Sequence, residues 1–311
     1  MTRLGEGVVL GAMAAVVAPR RSNGHTIEIS LALDILDFVN ERGVKGVAVL
    51  GATGEFVHYD VEERMRLALM AVRRSRTPVF VNVSHSTLEG AVVLARNATE
   101  VGATALLLMP PHFFRHTQEG IVAYYREFAR QAVGLAPTLL YNLPFFTTGM
   151  DAATACAILE TGHFAGIKDS SGETEIFDAL HALRQRIPFR LLLGNDRLLV
   201  SHRALADGVI SGCACGVPEL ITAIDHAATR GDKDALARRG ALLDAFVQKI
   251  DSFPTPFGIQ LTLAARGFPK AAPPLPIGPA AQRQADEFTE WFRGFEVAMR
   301  DECAGESYPQ N

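Results

Sequence analysis

The feature that most constrains the fold is a regular alternation of short apolar runs with helical patterns along the chain. Most of the runs are continuously apolar, which is typical of parallel strands that are covered on both faces. Eight runs predict strands at 11–18, 46–50, 78–83, 104–109, 137–141, 164–168, 189–194 and 208–212. Apolar residues at three- and four-residue spacing predict helices at 26–42, 61–74, 88–101 and 118–132. One βα unit in roughly every 20–35 residues predicts a (β/α)8, or TIM, barrel.

Residues that start and stop helices support these boundaries. Asp60 is followed three residues later by Glu63, and Ser170 by Glu173, so Asp60 and Ser170 are both expected to cap helices. Three glycines stand just after predicted helices, as stop residues do: Gly43, Gly102 and Gly134. The competing fold, a doubly wound sheet, lacks its best motif, because no Gly-x-Gly-x-x-Gly follows any of the eight runs.

The predicted barrel core occupies residues 1–217, and the chain continues well beyond it. Residues 218–300 are expected to hold a closing helix and a C-terminal helical extension, packed on the barrel or on a neighbouring subunit. Helical patterns lie at 219–230, 233–250, 256–266 and 280–299, with a proline-rich interruption at 269–279. Residues 301–311 are expected to form a flexible tail.

Composition excludes several classes of protein. The 311 residues are 48% hydrophobic and 21% charged, with a formal net charge of −4 and no basic patch, so a nucleic-acid partner is not expected. No run approaches the ~18 uncharged apolar residues of a membrane helix. The apolar stretch 7–18 is interpreted as the first strand rather than as a signal peptide. The cysteines do not form two ligand pairs at zinc-site spacing, which favours reduced thiols in a cytoplasmic protein.

Lys168 ends the sixth apolar run, immediately before a turn. A lysine delivered by a buried strand is costly unless the protein uses it. Desolvation lowers the pKa of an amine from about 10.4 toward neutrality. The amine then becomes a nucleophile that can form a Schiff base with a carbonyl group. The alternative is a lysine whose stem is buried and whose amine reaches solvent.

Tyr141 ends the fifth predicted strand, 27 residues before Lys168, which is about one βα unit. Because barrel active sites form at the carboxyl ends of the strands, the two side chains are expected on adjacent strands, facing one pocket. Lys168 would attack a ketone, and Tyr141 could carry protons to and from the carbinolamine and the enamine carbon. The alternative is an ordinary tyrosine at the barrel rim.

The turn after the second predicted strand, 51–55 (Gly-Ala-Thr-Gly-Glu), offers backbone N–H groups and the Thr53 hydroxyl to a carboxylate. A 2-oxo acid carries its ketone next to a carboxylate, and its protonated imine would accept electrons from a C–C bond at C3. Glycine-rich βα turns are common, so this turn could also be an ordinary loop. Asp169, Ser170 and Ser171 are interpreted as a helix cap rather than as a catalytic set.

Three motifs occur in order and at matching separations: 51–55 (Gly-Ala-Thr-Gly-Glu), 141–144 (Tyr-Asn-Leu-Pro) and 166–172 (Gly-Ile-Lys-Asp-Ser-Ser-Gly). Together they resemble the dihydrodipicolinate synthase / N-acetylneuraminate lyase family of class I aldolases. The segments 194–196 and 208–212 resemble the ends of that family's strands 7 and 8. The similarity extends from about residue 7 to residue 279.

This resemblance implies a (β/α)8 barrel with a helical C-terminal region, usually assembled as a homotetramer that is a dimer of dimers. It implies that pyruvate or another 2-oxo acid is bound as a Schiff base, with an aldehyde as second reactant and with no metal or organic cofactor. Lys168 would form the imine, and Tyr141 would act as acid and base. The positions implied at the substrate are Thr53 for the carboxylate, Ile210 through its backbone, Ala52 and Gly194.

Departures from the family pattern bear on the substrate. Ala52 and Phe113 stand where the family usually has two hydroxyls that relay protons to the tyrosine, the second from a neighbouring subunit. Phe145 and Phe146 stand in a segment that lacks the arginine with which the synthase binds aspartate semialdehyde. An aldolase or lyase for a 2-keto-3-deoxy acid, or for a more apolar adduct, is therefore preferred to the synthase. The alternative for the phenylalanines is a place in an interface or in the core.

Three further residues are candidates for the missing relay or for the second substrate, with an ordinary loop or interface position as the alternative: His85, His112 and Arg197. Other hypotheses stay open. One is 4-hydroxy-tetrahydrodipicolinate synthase, which condenses pyruvate with aspartate semialdehyde, and another is a non-catalytic pyruvate-binding sensor with the same fold. A metal-dependent class II aldolase is disfavoured, because no histidine–carboxylate cluster gathers at the predicted strand ends.

Overall fold

Eight parallel strands close into a barrel in which each strand pairs with the next, and β8 pairs with β1. The structure is a computed structural model that describes residues 4–5, 8–21 and 26–305. The strands are β1 (Ala12–Ala15), β2 (Gly46–Val49), β3 (Val79–Asn82), β4 (Ala105–Leu108), β5 (Thr138–Asn142), β6 (Gly166–Asp169), β7 (Arg190–Leu193) and β8 (Gly208–Ser211). Nearly every strand residue is buried, because helices cover the outside and side chains fill the inside. The predicted (β/α)8 barrel is confirmed.

Eight helices follow the strands of the same number. They are α1 (Ile29–Asn40), α2 (Val61–Arg74), α3 (Leu88–Glu100), α4 (Gln118–Gln131), α5 (Ala152–Glu160), α6 (Thr174–Arg184), α7 (Leu199–His202) and α8 (Cys213–Gly216). The helical patterns predicted the bounds of α2, α3 and α4 to within one residue, whereas α1 begins three residues later than predicted. No bounds were predicted for the shorter helices α5 to α8, because few turns leave little periodicity to detect.

The residues around β6 differ from the expected helix cap. Asp60 caps α2 as predicted, because its side chain accepts a hydrogen bond from the backbone three residues on. The expectation that Ser170 is a cap is wrong, since α6 begins only at Thr174. Asp169 instead binds the turn, accepting hydrogen bonds from the Ser171 N–H at 3.3 Å and from its hydroxyl at 2.7 Å. The hydroxyl of Ser170 has no hydrogen-bond partner among the described residues.

The C-terminal extension consists of α9 (Pro218–Arg230), α10 (Lys233–Ile250), α11 (Phe257–Ala265) and α12 (Pro279–Cys303). An aromatic cluster joins α10 to α12, with the ring of Phe246 5.4 Å from that of Phe295. Residues 301–303 of the expected tail are helical, since the buried side chain of Cys303 holds the end of α12 in place. Residues 306–311 lie outside the described part. Within that part, no helix has the length and apolar character needed to cross a bilayer.

Candidate active site

Lys168 and Tyr141 lie side by side at the carboxyl ends of β6 and β5. Their Cα atoms are partners in the parallel register, and their side chains are only 4% and 2% exposed. The Lys168 amine lies 4.1 Å from the centroid of the Tyr141 ring, within the range of a cation–π contact. The predicted adjacency is confirmed, and Lys168 is a buried lysine that lies against Tyr141.

The two side chains face a cavity of about 590 Å³ at the carboxyl ends of the strands. This volume lies in the range of pockets that bind small organic ligands. Nine of the predicted site residues line it: Lys168, Tyr141, Ala52, Thr53, Ile210, Gly194, Phe145, Phe146 and Arg197. The carboxyl ends of β2, β5, β6, β7 and β8 therefore all contribute to one cavity. The barrel brings these residues together although they are far apart in sequence.

Three candidates lie outside the lining of this cavity: His85, His112 and Phe113. His85 sits at the start of α3, where its Nδ1 lies 3.0 Å from the Thr87 hydroxyl. Phe113 is 87% exposed, so within this subunit it does not complete the site. Among the described residues, no group of three or more His, Cys, Asp or Glu side chains is arranged to hold a metal ion.

Ser170 is a site residue that the sequence analysis assigned to a helix cap. It lines the cavity, and its hydroxyl is buried without a hydrogen-bond partner among the described residues. Gly194 makes room for it: a Cβ atom built there would lie 2.0 Å from Ser170 Oγ and 2.8 Å from Lys168 Cε. Any side chain at Gly194 would therefore displace the lysine or the serine.

Gly194→Ala is expected to slow imine formation at Lys168 about 10²-fold, because a small displacement of a reacting group is enough for that loss. The measurement is the rate at which borohydride traps a pyruvate adduct. Gly294→Ala is the matched control, since a Cβ atom there meets nothing within 4 Å. A wild-type trapping rate in Gly194→Ala would show that the lysine tolerates the added methyl group.

Asp196, on the segment after β7, is a second residue that pattern analysis did not single out. Its Oδ2 accepts a hydrogen bond from the Cys213 N–H at 3.2 Å, and its Oδ1 is buried without a partner among the described residues. Burial raises the pKa of Asp196, an effect opposed by hydrogen bonds from Ser211 and Cys213 and by the charge of Lys168. Burial also raises the pKa of the Cys213 thiol, and the Asp196 charge adds to that shift, so the thiol stays protonated.

The turn that carries Thr53 is held firmly from outside. Leu50 and Glu55, at either end of it, have positive φ angles of 62° and 48°, which other contacts must stabilise. Asn82 Nδ2 donates to the Leu50 carbonyl at 2.7 Å, and Gln260 Nε2 donates to Glu55 Oε2 at 2.7 Å. Burial raises the pKa of Glu55. The Thr53 hydroxyl is thus presented on a turn whose two ends are fixed.

The outer wall of the cavity comes largely from the C-terminal extension, which no sequence motif had linked to the site. Its side chains are mostly apolar: Val247, Ile250, Pro256 and Ile259, with Leu143, Phe145 and Phe146 opposite in the lining. Arg197 forms an ion pair with Asp251, and both side chains are more than half exposed. The lining of the cavity therefore combines polar residues of the strand ends with a mainly apolar set from the C-terminal extension and one exposed ion pair.

This fold and this site define a class of protein. A (β/α)8 barrel that buries a strand-end lysine against a tyrosine, inside a ligand-sized cavity, is a class I lyase of the aldolase type. The model of the dihydrodipicolinate synthetase family matches residues 8–293. The chain belongs to the dihydrodipicolinate synthetase family.

Individual relatives agree with this assignment. The 4-hydroxy-tetrahydrodipicolinate synthase of Rhodospirillum centenum is 32% identical over 241 residues, which cover 75% of this chain and 80% of that protein. YagE, a prophage protein of E. coli K12 solved in complex with pyruvate, superposes with a TM-score of 0.84 at 21% identity, over 94% of this chain and 100% of that one. KD(P)GA from T. tenax superposes with a TM-score of 0.81 at 24% identity, over 92% and 99%. At these identities the two solved structures establish the fold alone.

Proposed function

We propose that the protein is a Schiff-base aldolase or lyase that makes or breaks a C–C bond of a 2-oxo acid of the 2-keto-3-deoxy acid type. The observation that carries the proposal is the buried Lys168 amine, packed on the Tyr141 ring in a cavity that also exposes Thr53. An amine so placed is suited to attack a carbonyl group. The pyruvate in the YagE structure supports pyruvate as the 2-oxo acid.

In the cleavage direction, Lys168 Nζ attacks the C2 ketone, and loss of water leaves a protonated imine. The C3–C4 bond then breaks as Tyr141 takes the proton of the C4 hydroxyl, which releases an aldehyde and leaves an enamine. Return of a proton to C3 gives the pyruvate imine, which water hydrolyses to free pyruvate and the lysine amine. The Thr53 hydroxyl and the Ile210 backbone hold the carboxylate half through these steps.

One feature of the cavity supports a 2-keto-3-deoxy acid over aspartate semialdehyde. Phe145 and Phe146 line the side of the cavity after β5 and offer no charge to a second carboxylate. Among the described residues, the one cation in the lining besides Lys168 is Arg197, and it pairs with Asp251.

The synthase reaction is the second candidate, and the name of the Rhodospirillum centenum relative is the observation that favours it. It requires condensation of pyruvate with aspartate semialdehyde. A positively charged side chain for the carboxylate of that aldehyde is missing beside β5, where Phe145 and Phe146 stand. The aldol cleavage reaction is therefore preferred.

The proposal is tested by treating the protein with pyruvate and borohydride, and by assaying a panel of substrates for pyruvate release. We expect a stable adduct on Lys168 and turnover of at least one 2-keto-3-deoxy or 2-oxo-4-hydroxy acid. Efficient condensation with aspartate semialdehyde would instead identify the synthase. An adduct without turnover on any substrate would indicate a pyruvate-binding sensor, and a folded protein without an adduct would refute Schiff-base chemistry.

Assembly as a homotetramer and a cytoplasmic location are parts of the same proposal. Four exposed phenylalanines support assembly, because a second copy of the chain would cover them: Phe113, Phe114, Phe145 and Phe146. Sedimentation at micromolar concentration tests it, and a monomer would contradict it. All four cysteines are free, and three of them are buried, as suits a reducing compartment.

A further inference from the structure

A side chain of the C-terminal extension, Gln260 of α11, reaches the turn that carries Thr53. Its Nε2 donates a hydrogen bond to Glu55 Oε2 at 2.7 Å, although the two residues are 205 positions apart in the chain. The two residues before it on α11, Gly258 and Ile259, line the cavity. We propose that Gln260 is a positioning residue, which holds the turn so that the Thr53 hydroxyl meets the carboxylate of the 2-oxo acid. This inference rests on the proposed Schiff-base function.

The shape of the turn depends on the backbone of Glu55. The Glu55 N–H donates to the Ala52 carbonyl at 3.0 Å, and Thr53 lies between these two residues. Glu55 has a φ of 48° and a ψ of 37°, in the left-handed region. A residue other than glycine keeps this conformation only where its surroundings hold it there. A contact that fixes the Glu55 side chain therefore also fixes the peptide groups that place Thr53.

The Glu55 carboxyl group is buried, and its two oxygens have different partners. Oε2 accepts the hydrogen bond from Gln260, and Oε1 lies 3.4 Å from His58 Nδ1. His58 belongs to the same segment as the turn, so its contact can move together with the turn. Gln260 belongs to another part of the chain and ties the turn to it. Because a buried oxygen that loses its donor is unfavourable, loss of Gln260 would drive the Glu55 carboxyl group toward water.

The helix α11 gives Gln260 a firm support. Ile259, Leu261 and Leu263 of this helix are buried, and the helix packs against α8 and α12. Because these contacts anchor the helix, the hydrogen bond restrains the turn more than it restrains α11. The C-terminal extension therefore contributes to the seat of the carboxylate as well as to the apolar part of the lining.

Gln260→Met tests the role, because methionine has nearly the same length as glutamine but no N–H donor. We expect the pyruvate concentration for half-maximal borohydride trapping to rise about tenfold, the effect of one lost hydrogen bond to a carboxylate. The trapping rate at saturating pyruvate should stay within about threefold of wild type, because β6 and not the turn carries Lys168. Gln131→Met is the matched control, since Gln131 Nε2 donates to Glu127 Oε1 at 2.8 Å on α4, outside the cavity lining. It should change neither quantity.

Further variants show whether Gln260 acts through the turn. Thr53→Val removes the hydroxyl and should itself raise the half-saturating pyruvate concentration about tenfold. Adding Gln260→Met to it should raise that concentration little further, because substitutions that remove the same contact are not additive. Glu55→Gln keeps an oxygen that can accept the hydrogen bond and should resemble wild type. Glu55→Met removes the acceptor and should behave as Gln260→Met does.

Two results would overturn the inference while leaving the proposed function intact. One is a Gln260→Met protein with a lower melting temperature but the wild-type half-saturating concentration, which would mean a structural role alone. The other is an effect of Gln260→Met that multiplies fully with that of Thr53→Val, which would mean that Gln260 does not act through Thr53. A wild-type protein that forms no adduct would instead overturn the proposed function itself.

Discussion

Lys168→Ala is expected to abolish turnover, with kcat at least about 10⁴-fold below wild type and no borohydride adduct. The reason is that the imine is the electron sink for the C–C bond, and no other lysine is placed to form it. The chain has five lysines, and Lys168 alone among them is buried and lines the cavity. The measurements are pyruvate release from the best substrate of the panel and intact-protein mass after trapping.

The control for this variant is Lys270→Ala. It removes an exposed lysine that lies between α11 and α12 in the C-terminal extension. It should keep both the wild-type rate and the adduct. Circular dichroism should show that Lys168→Ala is folded, because the side chain is removed from a cavity rather than from the packed core. The assignment would be contradicted if trapping added the same mass to Lys168→Ala as to the wild type. Turnover above a hundredth of the wild-type value would contradict it as well.

Tyr141→Phe is expected to lower kcat about 10²–10⁴-fold, the usual contribution of a general acid–base group. Phenylalanine keeps the ring against which the Lys168 amine packs at 4.1 Å, so the lysine should stay in place and the borohydride adduct should still form. The expected result is therefore a loss of turnover, while the imine on Lys168 can still be trapped. Steady-state kinetics together with adduct mass separate the two steps.

Tyr125→Phe is the matched control for the loss of a buried hydroxyl. Tyr125 is fully buried behind β4, where its hydroxyl donates to the Leu108 carbonyl at 2.8 Å. Its removal should cost about 1–2 kcal/mol of stability and leave kcat unchanged. If Tyr141→Phe behaved like Tyr125→Phe, with lower stability but wild-type turnover, proton transfer would have to be assigned to another group.

The fold and the centre of the site followed from local patterns. Continuous apolar runs and their helical spacers predict the barrel, because parallel strands covered on both faces need no polar alternation. The separation of Tyr141 from Lys168 predicts their adjacency, because one βα unit places successive strand ends at the same level. Thr53, Gly194 and Ile210 were implied by the family motifs that contain them, and they line the same cavity.

Other site residues could not be predicted from such patterns. Ser170 matches a capping motif, and only the late start of α6 at Thr174 shows that its hydroxyl is free. His85 stands at a strand end as a candidate should, yet it contacts Thr87 outside the cavity lining. In both cases the decisive fact is the direction of a side chain, which depends on the path of the loop rather than on residue type.

By itself, the sequence determined the barrel, the buried amine and its tyrosine partner, because these depend on periodicity and on spacing along the chain. The tertiary structure alone decided what surrounds them. The apolar wall of the cavity comes from α10 and α11, which no local pattern links to β6. Such contacts depend on how segments that are distant in sequence pack together. The lining of the cavity is therefore known only when all of these segments are in place.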